Sequence, residues 1–160
     1  MNYPLFLRFT GTTFGSGFAA KVEFNGKFLG IQDSEDGSWW LHGVNPSAIA
    51  DCGKTLDEAN THLRESLRGV LAWLAGETDT FEAFEASVNR FVKTTNTDYL
   101  ADWDAAVSRV RAHKECIEGL PVRAAFLNVD VRVSKKTMNE LNAADNSPSS
   151  ELVTPIEQAA

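Results

Sequence analysis

Apolar and polar positions alternate with a period of two through the first fifty residues. Tyr3, Leu5, Leu7 and Phe9 recur at every second position, GTTFGSG (residues 11–17) interrupts, and Phe18, Ala20, Val22 and Phe24 resume the alternation. A period of two places such residues on one face of a strand. Asn25-Gly26 follows at once and predicts a type I′ turn joining 18–24 to 27–32, because both central residues of that turn take positive φ. Asp36-Gly37 predicts a second turn, from 27–32 into 38–44. The expected product is an antiparallel β-meander.

The period then changes to that of a helix. Thr55-Leu-Asp-Glu58 reads as a capping box, with the Thr55 hydroxyl accepting from the Glu58 amide and the Glu58 carboxylate reaching back to the Thr55 amide. Leu56, Ala59, Leu63, Leu67, Val70, Leu71 and Leu74 follow at three- and four-residue steps and form a stripe to face the sheet, with Gly76 as the stop. Two further amphipathic segments carry Phe81, Phe84, Val88, Phe91 and Val92, then, after the polar break TTNT, Leu100, Trp103, Val107, Val110 and Ile117. Gly119 and Pro121 end the second of them. From Phe126 to Val133 the period returns to two, and Ser134 stands where it would cap a short helical pattern, KKTMNELNAA. The fold class is α+β: an antiparallel meander packed on one long helix, two extra helices, and a C-terminal strand-helix arm. The corresponding division is a sheet-and-helix core at 1–77, a helical extension at 78–120, and an arm at 121–160 whose polar end, from Ala143, is expected to be a mobile tail.

Composition narrows the function. The net charge of −7 and pI near 4.9 disfavour a general nucleic-acid binder and suit a basic protein partner. Cys52 and Cys116 belong to no CxxC or Cys/His ligand spacing, so no zinc site or disulfide framework is expected. GTTFGSG lacks the Gly-Lys-Ser/Thr ending of a phosphate loop and leads into a strand, where phosphate cradles lead into a helix. His42, His62 and His113 sit in no nucleophile or metal motif, and Glu23, Asp33, Glu35 and Asp36 fall at strand and turn positions. No enzyme, metal or cofactor is therefore expected. No leader and no apolar run of membrane-spanning length is visible, which makes a cytoplasmic location the default.

The run Asp36-Gly37, Trp39-Trp40, Gly53-Lys-Thr55-Leu-Asp-Glu58-Ala59 and Leu63-Arg-Glu-Ser-Leu67 resembles the HicB antitoxin family over residues 18–76. That family combines an Asp-Gly turn, an aromatic strand, and Gly-x-Ser/Thr-x-x-Glu-Ala opening a helix. This chain departs from it at Ala50-Asp51-Cys52, where the family commonly has Pro-Gly-Cys, and by the helical segment 78–120. The resemblance implies a partial ribonuclease H-like sheet and helix without a nuclease metal site. It also implies the role of an antitoxin that binds and covers a small basic messenger-RNA-cleaving toxin. The alternative function is a stand-alone acidic inhibitor or adaptor, borne by a phage or mobile element, that reuses this core on a host protein.

Many members of the family also repress their own operon through a C-terminal DNA-binding module. Residues 128–160 resemble a ribbon-helix-helix: Asn128–Val133 as ribbon, KKTMNELNAA as first helix, and SSELVTPIEQAA as a second. That reading makes the chain a homodimer or tetramer, points Asn128, Asp130 and Arg132 at operator DNA, and sets Lys135 and Lys136 beside phosphates. On periodicity alone 124–133 reads equally as the last strand of the core sheet. For a protein partner the candidates are Trp39, Trp40, Asp36 and Glu35. Adjacent strand residues face opposite ways, so one tryptophan belongs to the core and the other to the far face. There it would be a binding anchor or, as the favoured expectation, lie covered by helices 78–118.

Overall fold

The structure, a computed structural model, describes residues 1–113, 117, 120, 122–124, 128–137, 139–140 and 152–156. Two long strands form its spine: β1 (Asn2–Gly15) and β2 (Phe18–Gln32) pair antiparallel over their whole length. The hairpin between them is two residues, Ser16 and Gly17, and Gly17 takes the positive φ (74°) that such a turn requires. β3 (Trp39–Asn45) pairs with the second half of β2, and β4 (Ala50–Gly53) with β3. The helices are α1 (Leu56–Gly76), α2 (Phe81–Lys93) and α3 (Thr97–His113). Three short strands complete the sheet: β5 (Val122–Ala124), β6 (Asp130–Lys136) and β7 (Leu152–Ile156). The order is β4-β3-β2-β1-β7-β5, antiparallel except between β7 and β5, and β6 lies against the first half of β2. The α+β class and the meander on helices are as the periodicities predict.

Asn25-Gly26 is not a turn. The strand runs straight through it, and what changes there is the partner of β2, from β6 (Ala19–Asn25) to β3 (Lys27–Gln32), with a register irregularity at Lys27/Phe28. Glycine is needed for space: a Cβ at Gly26 would stand 2.5 Å from the Asn45 carbonyl oxygen. GTTFGSG likewise does not interrupt the strand, since residues 11–15 belong to β1 and only Ser16-Gly17 turn. Asp36-Gly37 does turn. Asp33 Oδ1 accepts from the Glu35 and Asp36 amides at 2.7 and 3.4 Å, Asp36 Oδ1 accepts from the Ser38 amide at 2.9 Å, and Gly37 has φ 74°.

Both sheet faces are covered, by different helices. On one face Leu5, Leu7, Phe9, Val22, Phe24 and Phe28 pack under α1 (Ala59, Leu63, Leu67, Leu71, Ala75) and α2 (Phe84, Val88, Val92). Full burial of each such side chain is worth roughly 1.5–3 kcal/mol over leaving it in water, so α2, the start of the expected 78–120 extension, shares the main core with 1–77. On the other face α3 sets Trp103 and Val107 on Phe6, Leu29 and Val44. The Trp103 indole N–H donates to the Leu5 carbonyl (3.4 Å) and Arg109 donates to the Asn2 carbonyl. The chain passes between faces around the end of β3. There the buried Asn45 amide donates to Thr95 Oγ1 (2.7 Å), the Asn96 amide donates to the Val44 carbonyl, and Asn96 Oδ1 accepts from the first amides of α3.

The C-terminal arm differs from a ribbon-helix-helix. β6 pairs with β2 of its own chain, so it is a strand of the core sheet. It continues through Ser134, Lys135 and Lys136, and the capping pair comes after it: Thr137 Oγ1 accepts from the Glu140 amide and the Glu140 carboxylate from the Thr137 amide. Residues 138 and 141–151, which include the end of the expected KKTMNELNAA helix and the start of SSELVTPIEQAA, lie outside the described residues. Leu152–Ile156, expected in a second helix, is strand β7, whose buried Leu152 and Val153 pair with Leu7 and Phe6. Two adjoining apolar residues serve a strand between two covered faces, and a short helix around Pro155 would bury less.

Candidate functional site

The helix-opening motif is structural at every position. Gly53 lies so close to α1 that a Cβ would meet the Ala59 nitrogen at 2.4 Å, and Ala59 is fully buried beneath it. Thr55 caps α1, its Oγ1 accepting from the Glu58 amide at 3.1 Å. The Glu58 carboxylate accepts from the Lys54 amide (2.6 Å) and not from that of Thr55, one residue off the expected box.

The tryptophan pair divides between faces. Trp39 is in the main core, 5.5 Å from the Tyr3 ring, so it is no surface anchor. Trp40 is on the α3 face and 43% exposed: the helices do not cover it, contrary to the favoured expectation, because α3 sits over Phe6, Leu29 and Val44 instead. Trp40 stacks on His42 (centroids 5.8 Å, 14° between planes), and His42 contacts Tyr99 of α3 at 4.7 Å. The three rings form a ridge. Burial pushes the His42 pKa down, which keeps the middle ring uncharged near neutrality.

Beside the ridge the surface is anionic. Residues 28–53 contain no Lys or Arg, while the turn into β3 exposes Asp33, Glu35 and Asp36. Hydrogen bonds from Ser38 hold the Asp36 carboxyl below the usual range, so this group stays ionised while it shapes the turn. Asp98 and Asp102, also exposed, flank Tyr99 on α3. At the edge of β4, the His62 Nδ1–H donates to the Cys52 carbonyl at 2.8 Å. That bond, with the nearby Glu58, Glu65 and Asp51 carboxylates, raises its pKa.

The residues read as DNA-facing do not form one set. Asp130 and Arg132 are exposed on the α3 face of β6 and Lys136 is half-buried there, whereas Lys135 lies on the opposite side and Asn128 precedes the strand. The sequence reading missed Tyr99 and His42 as companions of Trp40. Among the described residues no group of three or more His, Cys, Asp or Glu could hold a metal ion, and no helix is long and apolar enough to cross a membrane. Comparison with protein-family models, curated proteins and solved structures finds no match to this chain.

Proposed function

We propose that the chain is a binding module that engages a small basic protein through the Trp40–His42–Tyr99 ridge and its acidic surround. Its role is that of an antitoxin covering a basic messenger-RNA-cleaving toxin. The observation that carries this reading is an exposed tryptophan, stacked in place, on a stretch without a single cation. Interface anchors favour Trp, and a rim of one sign steers and selects an oppositely charged partner. The likeness of residues 36–67 to HicB antitoxins supports the class of partner. Tyr99 comes from α3, outside that likeness, which favours as second reading an acidic inhibitor or adaptor with a different basic target.

Co-expression with a small basic toxin, sought in the gene adjoining this one, separates the two. The antitoxin reading expects rescue of growth and a purifiable complex, and expects Trp40→Ala to weaken that complex by about 30-fold or more, the effect of losing a hot spot of ~2 kcal/mol. Undiminished toxicity beside the soluble chain would reject it in favour of the adaptor.

A further inference from the structure

The sheet face that bears Trp40 has a second half, beyond α3, with the opposite electrostatic character. Here β1, β2 and β6 lie side by side, and their registers align the outward residues in rows across three strands. Arg8 shares a row with Asp130, Arg132 with Glu23, Lys21 with Ser134, and Lys136 with Phe14. Each of four successive rows thus holds one cation, and rows are two residues, about 6.6 Å, apart. Three carboxylates are engaged in or beside the face: Glu23 pairs with Lys21 at 3.0 Å, Glu140 pairs with Lys136 at 4.0 Å, and Asp130 Oδ1 accepts from the Val131 amide. The Arg8 guanidinium meets only the neutral Asn25 Oδ1, at 3.4 Å, and exposed Arg132 pairs with no described carboxylate. The two arginines line an open cleft of about 280 Å³ together with Thr10, Glu23, Asn25 and Asp130. At the other end of the track Phe14 is 58% exposed.

We propose that this half-face binds a single strand of nucleic acid laid along β2, its phosphates meeting the successive cations and a base stacking on Phe14. On a chain of net charge −7, four cations against three carboxylates, each already engaged, leave a local excess of positive charge carried by Arg8 and Arg132, which is the electrostatic footprint of a polyanion site. An exposed aromatic beside a cationic track is how sequence-tolerant single-strand sites are built. A protein partner would favour an apolar centre, and here the cleft is polar. A duplex groove is read by an element that projects into it, and β6 is held flush against β2. The site shares no residue with the Trp40 ridge and stands or falls separately.

The test is fluorescence anisotropy of the full chain with labelled 12-nucleotide oligo-rU and oligo-dT, covering both sugars. Binding of either is expected, weakening about 50-fold between 50 and 200 mM salt if four phosphates are contacted, at a slope near −0.7 per contact. Arg8→Gln/Arg132→Gln should weaken it at least 10-fold and Phe14→Ala about 10-fold, whereas Arg8→Lys/Arg132→Lys and Trp40→Ala should retain it. Circular dichroism of each variant checks the fold. Absence of binding to both oligomers, indifference to the Arg→Gln pair in a folded variant, or tighter binding of a duplex or of a poly-glutamate peptide would overturn the proposal.

Discussion

Truncation of Phe84 tests whether α2 belongs to the same cooperative core as the sheet and α1. Its ring is fully buried, 5.4 Å from that of Phe18 at the start of β2, which in turn contacts Phe81 at 6.1 Å. Phe84→Ala removes six ring carbons from a site walled by a strand and a helix, neither of which can collapse far into the void. The expected loss is therefore the full ~3–5 kcal/mol of a buried Phe→Ala change. Against a total stability of roughly 5–15 kcal/mol this is a large fraction. It corresponds to a fall in Tm of roughly 6–20 °C at ~2–4 °C per kcal/mol for a chain of this size. Urea unfolding followed by far-UV circular dichroism and by tryptophan fluorescence should shift together, with an unchanged slope. A loss below ~1 kcal/mol, or a new early transition in one probe while the other holds its wild-type midpoint, would show that α2 is an appendage and refute the shared core.

Gly26→Ala should cost about 1–3 kcal/mol, since its Cβ would press on the Asn45 carbonyl where β2 changes partners, whereas Gly69→Ala in α1, with nothing within 4 Å, should gain roughly 0.5–1 kcal/mol; paired denaturation midpoints read both. His42 and His62 should titrate on opposite sides of the ordinary 6.5 by NMR. His62, raised in the folded state, contributes stability that is complete below the unfolded pKa and is lost as pH rises through its folded value. His42, lowered, contributes stability that is complete above about pH 6.5 and is lost as pH falls through its folded value. Identical midpoints for both would contradict the hydrogen bond to Cys52 and the burial of His42.

Helix α1 was legible because three independent signals agree on it: the stripe from Leu56 to Leu74, the Thr55 cap and the terminal Gly76. The first strands were legible as strands but not in their connection. Residues 27–32 are apolar at both parities, Phe28 facing α1 while Leu29 and Ile31 face α3. Periodicity therefore does not separate an Asn-Gly turn from a straight continuation, and what distinguishes them is the pairing of residues 19–25 with β6 and of 27–32 with β3. β7 was illegible for a related reason: five residues containing a proline carry no periodicity, and their place beside Phe6 and Leu7 depends on a pairing nearly 150 residues away in sequence.

The residues most visible as a motif are those least available for function. Gly53, Thr55, Glu58 and Ala59 fix how β4 enters α1, and each does so with backbone clearance, a cap or a small buried side chain. A motif of that kind travels with a fold and leaves the partner open. What distinguishes this chain is written instead in the outward residues of one sheet face, and their grouping needs tertiary register. Trp40 and His42 alternate with buried Trp39 and Leu41, so their direction was readable, but Tyr99 reaches them only because residues 94–96 wrap the end of β3. The cations of β1, β2 and β6 become a track only once Ala19 is set against Lys136 and Asn25 against Asp130. Lys27 over the Trp103 ring, at 4.6 Å, marks the divide between the two halves. A basic protein on the ridge and an anionic strand on the track would thus occupy one face without sharing a side chain. Each partner's own charge would favour its end of the face and disfavour the other.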